Sequence, residues 1–262
     1  MGRRIKLTVA YLGERFHGWQ RQPADRTVQG ELERALCRLT GGVEISVVGA
    51  GRTDAGVHAA AQVAHADLPV EIPTSGVLKG LNGLLPGDVR IRAVAAVPDS
   101  FHARRSALGK HYAYRVRWRT PDLPWLGLRT AVLPPVSIPG SLDRAVAQLP
   151  GRRDMASFSV PQNMSTVRTL HRVWIEPRQQ GLQLHFVGQG FLRYQIRRMV
   201  GALLEVGRGR LPVGDFERLL HHPIPGAGVL TAPPRGLTLE RVFYRDSPLL
   251  HLSPDPASGS HD

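Results

Sequence analysis

Cysteine and long apolar runs are scarce in this 262-residue sequence. The one cysteine, Cys37, excludes an intrachain disulfide and any metal site built from several thiolates, a composition typical of a reducing compartment. No segment approaches the roughly 20 apolar residues that span a bilayer, and residues 1–6 form no apolar leader. We therefore expect a cytoplasmic protein that does not act at a membrane.

Acidic residues are also few, since 21 Asp and Glu stand against 34 Lys and Arg, for a formal net charge of +13 at pH 7. This excess favours an anionic partner, with nucleic acid ahead of an acidic membrane surface. Biased codon usage that enriches arginine would produce the same composition. The charge alone therefore indicates nucleic-acid binding without establishing it.

Hydrophobic periodicity predicts two halves that both mix strands and helices. In the first half we predict strands at residues 5–11, 45–48, 61–66 and 89–97 and helices at 28–39 and 75–85. In the second half we predict strands at 110–118, 170–176, 181–187 and 237–244 and helices at 142–149, 191–206 and 213–220. Strict βαβ alternation is missing, which favours an α+β fold with a largely antiparallel sheet.

We also estimate that two domains join near residues 101–105. We predict an N-terminal domain at residues 1–104 and a C-terminal domain at residues 105–246. The tail at residues 247–262 is rich in Ser, Pro, Gly and Asp, a composition typical of disorder.

Residues 49–59, GAGRTDAGVHA, place Arg52 and Asp54 in a glycine-rich turn. Gly49, Gly51 and Gly56 do not follow the G-x-G-x-x-G spacing, and no Gly-Lys-Ser/Thr is present, so a nucleotide-phosphate loop is disfavoured. In one interpretation Asp54 is a reactive carboxylate that Arg52 keeps ionised. In the other it is an ordinary turn aspartate that caps backbone N–H groups. The motif alone does not decide between them.

Two histidines near this motif, His58 and His65, invite a metal-site interpretation. Seven residues apart on a strand, they point to opposite faces, and the H-x-E with P-C-x-x-C pattern of zinc deaminases is missing. We interpret them as core or solvated histidines and predict no metal.

Residues 101–119, FHARRSALGKHYAYRVRWR, contain no acidic residue. On a strand, alternation gives a basic face of Arg115, Arg117 and Arg119 and an aromatic face of Tyr112, Tyr114, Val116 and Trp118. RNA binding would use phosphate contacts from the first face and base stacking from the second. The alternative is a solvated edge strand over an aromatic core.

Residues 191–206, FLRYQIRRMVGALLEV, predict an amphipathic helix with a buried stripe. Arg193 and Arg197 stand one turn apart beside that stripe, and Arg198 is adjacent. Surface arginines on a helix are common, so this segment taken by itself does not indicate a function.

Together three stretches resemble a known family: GRTDAGVHA (51–59), DSFHARRSALGKHYAY (99–114) and FLRYQIRRMVGALLEVG (191–207). They are similar to bacterial tRNA pseudouridine synthases that act at positions 38, 39 and 40 of the anticodon arm. GWQRQ (18–22), TVQGELERAL (27–36), LNGLLPGDV (81–89) and DMASFS (154–159) extend the resemblance over nearly the whole chain, in order.

The resemblance implies an enzyme that breaks the N1–C1′ bond of a uridine in tRNA, turns the uracil and rejoins it through C5, without a cofactor. It also implies two α+β halves of similar topology around a central, largely antiparallel sheet. A further implication is a homodimer with the RNA lying across both subunits, which composition does not show.

The resemblance also assigns residue roles. It makes Asp54 the catalytic residue, Arg52 a contact to the substrate strand, and Arg197 the partner that holds Asp54 as an anion. Tyr112 would stack on the target base or contact its edge. The remaining candidates for RNA binding are Arg104, Arg105, Lys110, Arg193 and Arg198.

Two positions depart from the family pattern: Gln195, where a methionine is expected, and His111, before the tyrosine. Neither replaces Asp54, Tyr112 or Arg197. Whether Asp54 attacks C1′, adds to C6 or removes a sugar proton is open at this point. Two other functions also stay open, a non-catalytic RNA-binding protein and a glycosidase, which would need a second carboxylate.

Overall fold

The computed structural model describes residues 2–118, 129–161 and 163–245, and ten of its segments form one β-sheet. The strands are β1 (Arg3–Tyr11), β2 (Val48–Gly49), β3 (His58–Leu68), β4 (Val89–Ala96), β5 (Gly109–Trp118), β6 (Ala131–Leu133), β7 (Gly151–Asp154), β8 (Val167–Arg178), β9 (Gly181–Gly188) and β10 (Leu237–Phe243). In the same ranges the α-helices are α1 (Val28–Leu39), α2 (Thr74–Leu84), α3 (Pro139–Ala147), α4 (Gln195–Gly207) and α5 (Val213–His221). The predicted disordered tail, residues 247–262, lies outside the described residues, as does Arg119.

Local sequence explains most of these elements. In β1 the side chains of Ile5, Leu7 and Val9 alternate onto one fully buried face. At the start of α1 the Thr27 hydroxyl accepts a hydrogen bond from the N–H of Gly30, the usual way to satisfy a free donor at a helix N-terminus. The predicted strand and helix order of the first half is confirmed.

The sheet order β4-β1-β3-β10-β5-β9-β8-β7 reveals a topology that the two halves share. In the first half, the opening strand β1 pairs antiparallel with β3 and with the closing strand β4. In the second half, the opening strand β5 pairs antiparallel with β9 and with the closing strand β10. The predicted fold class, two α+β halves of similar topology around a largely antiparallel sheet, is confirmed.

The halves meet where β3 and β10 pair in parallel, with Thr238 opposite His58 and Leu239 opposite Ala59. Because parallel strands run the same way, the loops that precede them reach the same edge of the sheet. One of these loops, residues 50–57, contains Asp54, and the other connects α5 to β10. The sheet is continuous through this seam, and a division into domains at residue 104 stays a prediction.

The predicted strand at residues 45–48 is wrong except at its last residue, because β2 covers only Val48–Gly49. Ile45 and Val47 are buried, which produces the alternation that suggested a strand. However, the N–H of Val47 donates to Oε1 of Glu33 on α1 at 3.1 Å. A side chain therefore takes the place of a neighbouring strand. The short strands β6 and β7 were not predicted.

The helix predicted at residues 191–206 begins four residues later, at Gln195. Tyr194 precedes it in the left-handed conformation, with φ 62° and ψ −1°, which a right-handed helix cannot include. The side chain of Gln195 also folds back, and its Oε1 accepts the N–H of Leu192 at 2.8 Å.

The interpretation of β5 as a solvated edge strand is wrong, because β5 is central, between β10 and β9. Tyr114 is fully buried and its hydroxyl donates to the carbonyl of Pro233 at 2.8 Å, so it packs in the core and offers no face to a base. On the other face, Arg115 forms an ion pair with Glu240 at 2.7 Å. The loop before β10 and strand β10 itself therefore bind two groups that the sequence pattern offered to RNA.

Helix α4 approaches the loop before β10 through a glycine. A Cβ added at the buried Gly201 would lie 2.0 Å from the carbonyl oxygen of Leu230. Only a residue without a side chain permits this distance, and Arg197 reaches the same loop one turn earlier.

We predict that Gly201→Ala lowers the free energy of unfolding by about 1–3 kcal/mol, because the methyl group forces α4 and the loop apart. Gly83→Ala, in an exposed and open position of α2, is the matched control and should gain about 0.5–1 kcal/mol. Urea denaturation followed by circular dichroism measures both. Equal effects of the two substitutions would contradict the close approach.

Candidate active site

The turn between β2 and β3 holds the backbone of Asp54 from both sides. The hydroxyl groups of Thr53 and Tyr11 form a hydrogen bond of 2.9 Å, and the Thr53 carbonyl accepts the N–H of Trp19 at 3.1 Å. After Asp54, the N–H of Val57 donates to the Asp54 carbonyl at 3.1 Å. These contacts fix the direction in which the Asp54 carboxylate projects.

Two glycines make this turn possible. Gly18 has φ 92°, and a Cβ there would lie 2.6 Å from the carbonyl oxygen of Thr53. Gly56 has φ 78°, and a Cβ there would lie 2.8 Å from Cγ of Pro234, in the loop before β10. Both positions combine a left-handed backbone with a close approach, so the tight packing around Asp54 depends on them.

Arg197 reaches Asp54 from the other half of the protein. Its Nη1 lies 3.5 Å from Oδ2 of Asp54. Its Nε donates to the carbonyl of Ala232 at 2.8 Å, and its own carbonyl accepts the N–H of Ala232 at 3.0 Å. The guanidinium is therefore anchored to the loop before β10 while one nitrogen faces the carboxylate.

Burial and charge act on Asp54 in opposite directions. Burial raises the pKa of Asp54, and the positive charges of Arg197 and then Arg193 lower it, with burial the larger effect. The net pKa lies above the ordinary value for aspartate. Since 21% of the side-chain surface stays exposed, a substrate can reach the carboxylate.

Arg52 does not pair with Asp54 as one interpretation of the motif required. Its side chain is exposed, and its Nε donates to Oε1 of Gln20 at 3.1 Å.

The interpretation of Asp54 as a turn cap is also wrong. In the described ranges no backbone N–H donates to its carboxylate, and the hydrogen bond that it accepts comes from Arg197.

Tyr112 lies on β5 with only 6% of its surface exposed. Its ring meets that of Phe191 edge to face, with centroids 5.3 Å apart at 82°. Burial raises the pKa of Tyr112, and Tyr11 and Asp54 raise it further, so the hydroxyl stays protonated. No residue of the described ranges hydrogen-bonds this hydroxyl, which is thus available to a ligand.

Lys110, on the same strand, is more enclosed than the sequence suggested. A Cβ at Gly51, in the Asp54 loop, would lie 2.9 Å from its Nζ. Burial and, to a smaller extent, the charges of Arg104 and Arg168 together lower the pKa of Lys110 to about 8. At this pKa Lys110 is still mostly charged near pH 7, and a phosphate close to Nζ would favour the charged form further.

The other basic candidates differ in exposure. Arg104 and Arg105 are exposed. Their backbone N–H groups both donate to Nδ1 of His102, each at 3.2 Å. Arg193 is exposed as well. Arg198 is half-buried, and its Nη1 donates to the carbonyl of Ser159 at 2.6 Å. Arg198 is thus held within the protein, whereas the other three are exposed.

The two departures from the family pattern serve internal packing. Gln195 is fully buried, and its side chain accepts the N–H of Leu192. His111 lies on the face of β5 opposite Tyr112, and its Nε2 hydrogen-bonds Nδ1 of His185 at 2.9 Å. Neither side chain contacts Asp54.

The two histidines near the Asp54 motif bind backbone groups. Nδ1 of His58 accepts the N–H of Gly13 at 3.1 Å, and Nδ1 of His65 accepts that of Ala103 at 3.2 Å. Over residues 2–118, 129–161 and 163–245, no three His, Cys, Asp or Glu side chains gather as metal ligands require. No described helix is long and apolar enough to cross a membrane.

Sequence reasoning missed Tyr11, Thr53 and Tyr194. Tyr11 looks like the last buried residue of a strand, and nothing in the pattern links it to Thr53, 42 residues away. Tyr194 stands three residues before Arg197 in a motif that is conspicuous for its arginines. The three-residue spacing, which can bring two side chains together near a helix, was the signal that could have linked Tyr194 to Arg197.

The sequence places this fold in a known class of enzyme. The sequence profile of a family described as tRNA pseudouridine synthase matches residues 7–104 and 145–245. These segments include Asp54 and Arg197 and cover more than half of the chain. The chain therefore belongs to the tRNA pseudouridine synthase family and is an isomerase.

Its relatives include enzymes named tRNA pseudouridine synthase A. That of Latilactobacillus sakei is 39% identical over 94% of this chain and 100% of its own length. That of Leuconostoc citreum is 42% identical over 94% of this chain and 98% of its own length. That of Myxococcus xanthus is 40% identical, with 94% and 93% covered.

We predict that Asp54→Asn is more stable than the wild type at pH 7. Because the pKa of Asp54 is raised in the folded state, the ionised carboxylate opposes folding above that pKa. Below the pKa of aspartate in the unfolded chain both states are protonated, and the advantage of the variant should disappear.

Urea denaturation at about pH 7 and about pH 3 measures this difference. Asp143→Asn, at an exposed position of α3, is the control for loss of a carboxylate. An Asp54→Asn variant that is less stable at pH 7 would show that the ion pair with Arg197 outweighs burial.

Proposed function

We propose that the protein isomerises uridine to pseudouridine at positions 38, 39 and 40 in the anticodon stem-loop of tRNA, with Asp54 as the catalytic residue. The observation that carries this proposal is the Asp54 carboxylate, partly exposed at the seam of the two halves with Arg197 3.5 Å away. The relatives named tRNA pseudouridine synthase A support tRNA as the substrate.

The reaction begins with base flipping, because a stacked uridine keeps C1′ and C6 out of reach of a side chain. The N1–C1′ bond breaks, the uracil turns, and a C5–C1′ bond forms. The hydrogen at C5 leaves as a proton and N1 gains a proton, so the product is an isomer of the substrate. No redox step occurs and no cofactor enters the balance.

Asp54 begins this sequence as a carboxylate, by attack on C1′, by addition to C6 or by removal of a sugar proton. All three routes need a basic oxygen, and burial makes the oxygen of Asp54 more basic than that of an aspartate in water. Arg197 lowers the pKa of Asp54 and so offsets part of this effect. The geometry supports each route equally.

The neighbouring residues would hold the flipped nucleotide. Tyr112 has a hydroxyl that no residue of the described ranges hydrogen-bonds, which suits contact with the base. Arg52 lies two residues before Asp54 and is exposed, so it would contact the substrate strand. Arg104, Arg105, Arg193 and Lys110 would bind phosphates around the nucleotide. Arg198 would join them only after release from Ser159.

We also propose that the enzyme is a cytoplasmic homodimer in which the RNA lies across both subunits, as the family resemblance implies. A non-catalytic RNA-binding protein would have no need of a buried carboxylate. A glycosidase would need a second carboxylate, but the charges that shift the pKa of Asp54 come from arginines. These observations favour the isomerase.

The test is tritium release from a tRNA transcript labelled at uridine C5, because joining C1′ to C5 must expel that hydrogen. Wild type should release tritium and Asp54→Asn should lower the rate at least about 10³-fold while it still binds tRNA. Asp143→Asn is the matched control and should keep the wild-type rate. Release by Asp54→Asn at that rate would remove Asp54 from the chemistry, and no release by any protein would leave an RNA binder.

Salt dependence tests the basic surface. Four phosphate contacts would weaken tRNA binding about 100-fold as NaCl rises from about 50 to about 200 mM. Arg104→Gln combined with Arg105→Gln should reduce the slope of log Kd against log salt by about one for each phosphate that the variant no longer binds. Arg144→Gln, at an exposed position of α3, is the control for loss of one arginine charge outside the proposed site. A flat salt dependence would contradict phosphate recognition by these side chains.

A further inference from the structure

Tyr194 has an unusual backbone. In the described ranges it is the one residue other than glycine with a positive φ, 62°. A bulky aromatic residue rarely adopts this conformation, which glycine and asparagine adopt more easily. Strained residues of this kind are concentrated at functional sites, where the surrounding structure enforces them. The strain therefore calls for a role that asparagine or glycine could not fill.

The side chain of Tyr194 contacts both arginines that act on Asp54. Cζ of Arg193 lies 4.9 Å from its ring centroid, and Cζ of Arg197 lies 5.2 Å from it. Its hydroxyl also accepts a hydrogen bond from Nη2 of Arg193 at 3.1 Å. Both centroid distances are within the range of cation–π attraction.

The ion pair needs such support. The 3.5 Å separation of Arg197 from Asp54 is long for a charge-assisted hydrogen bond. The bond from Nε to Ala232 restrains one side of the guanidinium. A ring beside the guanidinium restricts its remaining freedom.

We propose that Tyr194 is a positioning residue whose ring, directed by the left-handed backbone at the start of α4, holds Arg197 against Asp54 and Arg193 beside it. This inference rests on the proposed function and deepens it, because it names a residue that sets the charge around the catalytic carboxylate. Tyr194 itself takes no part in bond breaking. Its aromatic ring, not its hydroxyl, carries the role.

Two substitutions separate the ring from the strain. Tyr194→Asn removes the ring and suits the left-handed backbone, so its melting temperature should equal or exceed that of the wild type. Tyr194→Phe keeps the ring and the strain and removes only the hydroxyl. A role in stability alone predicts the opposite order, with Tyr194→Asn the less stable variant.

Activity should follow the ring. We expect kcat for tritium release to fall about tenfold in Tyr194→Asn and to stay within about threefold of the wild type in Tyr194→Phe. The acidic limb of the kcat profile should move to higher pH in Tyr194→Asn only, because a loosened Arg197 lowers the pKa of Asp54 less. Affinity for tRNA at fixed salt should change little.

A second readout does not depend on turnover. In protein labelled with ¹³C at the aspartate side chains, the titration of Asp54 is assigned by the signal that Asp54→Asn lacks. The pKa of Asp54 should be higher in Tyr194→Asn than in the wild type and in Tyr194→Phe. Arg197→Gln, which removes the charge itself, is the reference and should raise the pKa further.

Two results would overturn the inference. One is an unchanged kcat and an unchanged pKa of Asp54 in Tyr194→Asn. The other is a loss of tRNA affinity in Tyr194→Asn with an unchanged pKa, which would make Tyr194 a direct RNA contact. If the wild type released no tritium, the proposed function would fail, and the titration would still decide whether Tyr194 positions Arg197.

Discussion

The parallel pairing of β3 with β10 is the contact on which the candidate active site depends. It brings the Asp54 loop of the first half and the loop before β10 of the second half to one edge of the sheet. Arg197 reaches the carboxylate only because Ala232, in that second loop, holds its Nε and its carbonyl. A one-residue slip in this pairing would turn alternate side chains to the other face and separate the two groups.

At this seam the fold maintains a compromise between burial and charge. Burial makes the Asp54 oxygen more basic and opposes its ionisation, while the guanidinium of Arg197 favours the charged form. A shorter, fully hydrogen-bonded pair would lower the basicity that each proposed route requires. A carboxylate without a guanidinium would become protonated more easily. The loose ion pair, with a strained tyrosine beside it, combines access for a nucleotide with a guanidinium that favours the ionised carboxylate.

Periodicity predicted the order of elements and the α+β class because alternating and helical patterns reflect burial directly, as in β1 and α1. Periodicity predicted a strand wrongly where a side chain took the place of a backbone hydrogen-bond partner. Residues 45–47 alternate like a strand, yet Glu33 supplies their contact. It also failed at Tyr194, whose conformation has no signal in composition. The central position of β5 could not be predicted, because pairing with β10 joins residues more than 100 positions apart.

The sequence by itself determined the positive charge, the family resemblance and the identity of Asp54, Tyr112 and Arg197 as candidates, because these follow from residue types in order. Two cations remained as partners of the carboxylate, Arg52 from the local motif and Arg197 from the resemblance, and the tertiary structure decided between them. Arg52 is two residues from Asp54 yet bonds Gln20, whereas Arg197 is 143 residues away and forms the ion pair. The physical reason is that a tight turn directs neighbouring side chains apart, while sheet pairing between the two halves brings distant ones together.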